Sequence, residues 1–200
     1  MNESVKRVLD LFQQISALPR CSKKEKEIGL WLEQWGKTQG FTVKRDTASN
    51  LLITVPASSG FEKAPVIVIQ GHMDMVCEKS PDSAHDFDKD PIRLIYDGDW
   101  LRADNTTLGA DNGIALALSM ALVTDPAVFH PPVELLFTVD EETGLNSTAN
   151  IHLGHRTRNQ HFSSAAMRSM NSLSTAKPRL WQSTPGWSAL LSVQNMPTWT

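Results

Sequence analysis

Three short stretches carry side chains able to bind a cation and move a proton. The first is Gly71-His72-Met73-Asp74-Met75, directly after the apolar run Pro65 to Gln70 (PVIVIQ). On an extended backbone, side chains two residues apart project to the same side, so His72 and Asp74 would face together. A metal-bound imidazole needs its other ring nitrogen held by a carboxylate or carbonyl, and Asp74 is placed to do this for His72. A solvated pair at a strand end gives the same His-x-Asp pattern, which is a weak signal alone. The second stretch, Thr106 to Gly113 (TTLGADNG), brackets Asp111 between Gly109 and Gly113 ahead of an apolar helical run. Glycines there admit a close backbone approach. A carboxylate in such a turn could bridge two cations through its two oxygens; an Asp in the same place is also a common helix N-cap. The third, Asp140-Glu141-Glu142-Thr143-Gly144, follows VELLFTV. Adjacent side chains diverge on an extended backbone, so Glu141 and Glu142 are expected to take different roles, one on a cation and one facing its water. Zinc brings bound water to a pKa of about 7, and a free carboxylate beside it can take the proton as a carbonyl carbon is attacked. The competing reading is an acidic turn in solvent. Sugar hydrolysis by paired carboxylates fits less well, because adjacent Glu residues do not flank a glycosidic bond and His72 would have no role.

The elements around these stretches explain how they could meet. Val5, Val8, Leu9, Phe12 and Ile15 recur at spacings of three and four, which predicts an amphipathic helix stopped by Pro19. Ser22 with Glu25 reads as a capping box for a second helix, whose apolar face is Ile28, Trp31, Leu32 and Trp35 and whose stop is Gly40. Phe41 to Arg45 and Leu51 to Val55 read as strands, PVIVIQ as an interior strand buried on both faces, and Val133 to Val139 as another buried strand. Turns are expected at Asp82 and Asp97-Gly98, and Ile114 to Val123 as a short apolar helix. This alternation predicts an α/β domain with a mostly parallel or mixed sheet flanked by helices, its ligands gathered beyond the carboxyl ends of the strands. Each of the three stretches follows or flanks such an end. Asp86, Asp88 and Asp90 read as solvated surface.

Composition sets limits. The 200 residues carry 19 basic and 22 acidic side chains, net −3, which gives no reason to expect a nucleic-acid partner. No apolar run approaches a membrane span. With no secretory signal ahead of them, Cys21 and Cys77 are expected reduced in the cytoplasm, Cys77 as a small core residue. All 22 acidic residues lie between Glu3 and Glu142, so residues 1–151 form the expected catalytic part. Residues 152–200 have five basic and no acidic residues, 13 Ser or Thr, and Trp181, Trp187 and Trp199. That tail lacks any sustained apolar period and is expected to be poorly ordered, with His152, His155 and His161 exposed.

GHMDMV, TTLGADNGIALAL and ELLFTVDEETG, in that order, resemble the aminoacyl-histidine (Xaa-His) dipeptidases, within the co-catalytic dizinc exopeptidases. The helical opening and HDFDKDPI strengthen the resemblance, which covers residues 1 to about 151 and corresponds to the amino-terminal part of that family. It implies that His72 binds one zinc with Asp74 supporting it, and that Asp111 bridges two zincs with a cis peptide to Asn112. It further implies Glu141 as general base, Glu142 as a zinc ligand, and a dipeptide substrate. The family also supplies a further Asp ligand, a distal His and a dimerising second domain. Nothing after Glu142 is acidic, so one weakly held zinc, or none, is expected here, with dipeptidase activity impaired or lost. Asn105 stands where the family more often has Gly. The tail is expected to be unrelated to the family, as a frameshift would produce. The alternative reading is a catalytically inactive fragment that acts, if at all, as an interaction partner.

Overall fold

The computed structural model describes residues 3–143 and the pair Leu191–Ser192. Helix α1 (Glu3–Ser16) buries the expected stripe of Val5, Val8, Leu9, Phe12 and Ile15. Helix α2 (Lys26–Thr38) buries Ile28 and Leu32 and ends before Gly40, whose φ of +78° is the left-handed stop a helix favours. The expected capping box does not form. Glu25 flanks the first turn without a side-chain cap, because both Ser22 and Glu25 are committed elsewhere. Gly36 lets α2 lie directly on the sheet: a Cβ there would sit 2.8 Å from Val43 Cγ2 and 3.3 Å from Ile53.

The chain then runs through β1 (Thr42–Arg45), β2 (Leu51–Val55), β3 (Ile67–His72), β4 (Leu94–Asp97), β5 (Trp100–Ala103), α3 (Ala110–Thr124), β6 (Val133–Thr138) and β7 (Leu191–Ser192). Four strands form a mixed sheet in the order β1-β2-β6-β3; β3 and β6 are parallel, and the β1/β2 and β2/β6 pairs are antiparallel. PVIVIQ is not an interior strand buried on both faces. Among the described residues β3 pairs only with β6, and Val66 and Ile67 are 53% and 48% exposed. Its apolar composition reflects burial that reaches full depth only at Gly71 and His72. The strands flanked on both sides are β2 and β6, and β6 is buried throughout except at Glu134.

Asp97-Gly98 lies at the turn of a β4/β5 hairpin, to which β7 adds a third, antiparallel strand. Turn residues marked that bend in the sequence, but the short, half-exposed strands beside it left no clear period. Beyond Leu191–Ser192, the expectations for residues 152–200 lie outside the described residues. Helices α1 and α3 pack on each other, α3 also lies on β3, and α1, α2, α3 and the four-stranded sheet share one apolar core.

Cys21 and Cys77 are not reduced but joined in a disulfide, with Cα atoms 5.6 Å apart. An isolated parallel bridge between Cys21 and Met75 brings the two segments together, a pairing that spacing alone could not disclose. The bond closes a loop between residues 56 apart, so its reduction should lower stability by about 4 kcal/mol through the unfolded chain's regained freedom. Urea unfolding with and without dithiothreitol measures this; coincident midpoints would contradict it.

Candidate metal centre

Parallel pairing of β3 with β6 places His72 opposite Thr138, so the chain leaves both strands at the same sheet edge. Helix α3 reaches this edge because Gly71 has no side chain: a Cβ there would lie 3.2 Å from Leu116 Cδ2. The first turn of α3 is irregular. Gly109 is its flanking residue with φ +67°, Asp111 and Asn112 depart from helical dihedrals, and the peptide between them is cis. No side chain caps this helix, so Asp111 is free of the N-cap role and points its carboxylate at His72. Asn105, at φ +57°, occupies the left-handed region that asparagine tolerates and glycine favours.

His72 is 7% exposed. Its Nδ1 lies 3.0 Å from the Asp74 backbone carbonyl and 3.3 Å from Asp74 Oδ1. Its Nε2 lies 3.1 Å from Asp111 Oδ1 and 3.8 Å from Glu141 Oε2. One donor atom each of His72, Glu141 and Glu142 fall within 4.8 Å of one another, the spacing of ligands around a single cation. Asp111 is not part of that trio and joins the site through its hydrogen bond with His72, while Glu141, expected as the base, stands among the clustered donors; Asp74 stands behind the imidazole.

Glu141 and Glu142 do not diverge as neighbours on a strand would. The strand has ended, and Asp140 (φ +54°) turns the chain so that both following amides point at one carboxylate. Glu141 N–H donates to Asp74 Oδ1 and Glu142 N–H to Asp74 Oδ2, each at 3.1 Å; the Ser22 hydroxyl donates to Oδ2 at 2.8 Å. Asp74 thus orients the imidazole and the acidic turn together.

These contacts set the proton affinities. Burial lowers that of His72, but the hydrogen bonds and charges of Asp111 and Asp74 outweigh it and raise the imidazole to about 10. For Asp74, burial acts upward, and hydrogen bonds from His72, Glu141, Glu142 and Ser22 overcome it to hold the carboxyl well below its usual range. The Asp111 carboxyl is lowered, chiefly by its hydrogen bond with His72. Glu142 is raised, first by burial and then by the Asp111 charge. Carboxylates crowded about one imidazole edge are a donor set that suits a divalent metal, whose charge would offset their repulsion.

The segment between α1 and α2 supports the site through tertiary contacts that no motif announces. Arg20 is 1% exposed, and its guanidinium donates to the carbonyls of Met73 (3.2 Å), Asp74 (3.4 Å) and Gly109. Glu25 Oε1 accepts from Asp140 N–H at 2.9 Å, and buried Asn50 accepts from Val139 N–H at 3.1 Å. The available signal was a polar run, Arg20 to Glu25, lying outside both apolar helical periods. Asp86, Asp88 and Asp90 are surface groups as expected, with Lys24–Asp88 and Lys89–Asp86 ion pairs.

The fold is that of peptidase catalytic domains. An aminoacylhistidine dipeptidase from Vibrio alginolyticus superposes with a TM-score of 0.71 at 39% identity, over 74% of this chain and 30% of that one. The aminopeptidase PepT from Bacillus cereus gives 0.57 at 26% identity, over 70% and 38%. In sequence, the chain is 44% identical over 137 residues to the cytosol non-specific dipeptidase of Escherichia coli K12, which is 68% of this chain and 28% of that protein. No family model matches. The resemblance to the aminoacyl-histidine dipeptidases carried by the three motifs therefore holds in sequence and in fold. The chain spans less than a third of the length of these two dipeptidases.

Proposed function

We propose that this chain carries the cation-binding, water-activating face of a metal-dependent dipeptidase whose intact form cleaves Xaa-His dipeptides. The observation that supports it most is the cluster of His72, Glu141 and Glu142 donor atoms, with Asp111 hydrogen-bonded to His72 Nε2 and Asp74 at the far nitrogen of the imidazole. His72, Asp111 and Glu142 would hold zinc, and the family resemblance supports Asp111 as the ligand shared in a two-metal site. Bound zinc would supply a Lewis acid that lowers the pKa of water and polarises the scissile carbonyl. Glu141 would accept the water's proton at its carboxylate and return it to the leaving amine. Burial and then the Asp111 charge raise Glu142, and a cation amid these carboxylates would offset both, which supports Glu142 as a ligand.

The E. coli relative's cytosolic name supports a cytoplasmic setting, and no described helix is long and apolar enough to cross a membrane. In a reducing compartment Cys21 and Cys77 would stand as a close thiol pair. A small peptide is the expected partner, and dimerisation would rest on parts of the relatives that the match does not span. The loss of acidic residues beyond Glu142 supports reading residues 152–200 as foreign to the catalytic domain; translating the coding DNA in its other two frames beyond codon 151 tests this.

The 200-residue chain should bind zinc in a calorimetric titration yet release negligible histidine from Xaa-His dipeptides, because His72, Asp111 and Glu142 complete at most one centre. A folded chain that gives no binding heat would favour the inactive-fragment reading. Zinc-restored hydrolysis that disappears in Glu141→Gln would instead show a functional active site in this chain.

A further inference from the structure

We propose that Arg20 is a positioning residue of the metal centre, its buried guanidinium fork fixing the distance between the loop that carries His72 and the turn that carries Asp111. The inference rests on the metal-centre reading and deepens it.

Arg20 cannot reach substrate, because it is 1% exposed beneath the site. Its two terminal nitrogens bond to different segments: Nη1 to the carbonyls of Met73 and Asp74, and Nη2 to that of Gly109. Its own carbonyl accepts Met75 N–H at 3.0 Å, which anchors the base of the side chain to the same loop. Those loops present the atoms that meet at 3.1 Å, His72 Nε2 and Asp111 Oδ1.

The turn is built around this side chain. A Cβ on Gly109 would overlap Arg20 Nη2, and one on Gly113 would lie 2.7 Å from it. Both glycines that bracket Asp111 therefore make room for the guanidinium. Removing a cation from water is costly, and an apolar filler would occupy this space more cheaply. What Arg offers beyond filling is a planar fork of donors held at fixed angles, which a single ammonium does not reproduce. Burial lowers the guanidinium to about 10, and the charges of Asp74 and Asp111 nearby offset that burial in part.

The test is a Co²⁺ titration of the full 200-residue chain, read by calorimetry and by visible absorption, for wild type, Arg20→Lys, Arg20→Gln and the control Leu32→Ala. Leu32 is buried on α2, so its truncation lowers stability without touching either loop. Both Arg20 variants should bind about 10- to 100-fold more weakly, with an altered absorption band at saturation. Leu32→Ala should keep the wild-type band. Wild-type affinity and band in Arg20→Lys would overturn the proposal by showing that charge alone suffices, and loss of the folded far-UV spectrum in both Arg20 variants would overturn it by assigning Arg20 to the fold. If the wild-type chain itself binds no Co²⁺, the metal-centre reading fails first, and that outcome is distinct from either.

Discussion

His72→Ala should abolish cation binding by this chain, a loss of at least roughly 100-fold, the upper end of what outer supporting residues cost. Among the described residues His72 is the one nitrogen donor in the cluster, and the distances around its Nε2 define the site: 3.1 Å to Asp111 and 3.8 Å to Glu141. Without the imidazole, what remains is a group of carboxylates open to water, which binds divalent ions weakly. Zinc calorimetry on the two chains measures the effect, and unchanged affinity in the variant would remove the imidazole from the centre. Binding should also weaken as pH falls. Metal requires neutral imidazole, whereas Asp74 and Asp111 raise His72 to about 10 in the protein without metal, so each binding event at neutral pH must expel a proton. Titrations in buffers of different ionisation enthalpy should report that proton.

Asp74→Ala should produce the largest loss of stability, about 3–5 kcal/mol, the range for removing one partner of a buried ionic pair. The carboxylate is fully buried and accepts from the Glu141 and Glu142 amides and from Ser22 beside the His72 ring. Alanine would leave these donors in a cavity without an acceptor. Asp74→Asn keeps the volume but cannot accept from both amides, and should fall between the two. The pH dependence has a definite sign. Because the folded protein lowers the Asp74 pKa, its contribution is complete above the unfolded carboxyl value of 3.8 and disappears as pH falls toward the lower folded value. Acid unfolding of wild type should therefore be steeper than that of Asp74→Asn; superimposable curves would argue against the role.

The helices and most of the four-stranded sheet were legible because burial leaves a period: the α1 stripe, the α2 face and the β6 run each read correctly. What failed depended on neighbours. PVIVIQ is as apolar as a central strand yet lies at the edge of the described sheet, since composition records hydrophobicity and not the number of partners. Ser22 and Glu25 have capping-box spacing, but tertiary acceptors and donors offered each a better bond. The candidate site residues stood out in the sequence because each sits at a strand end or a glycine-bracketed turn. The shared turn of Glu141 and Glu142 was missed because the positive φ of Asp140 has no glycine to announce it. Arg20 was invisible for a different reason: its partners are backbone carbonyls 53 to 89 residues away, and carbonyls carry no sequence signal.

The connector between α1 and α2 touches every loop that bears a candidate ligand: Arg20 and Ser22 reach the His72 loop, Arg20 the Asp111 turn, and Glu25 the acidic turn after β6. Such long-range closure is slow and late in folding. Local opening at the connector should consequently expose all three loops at once, and hydrogen exchange should register their amides as one cooperative unit, leaving together before the β2/β6 ladder does.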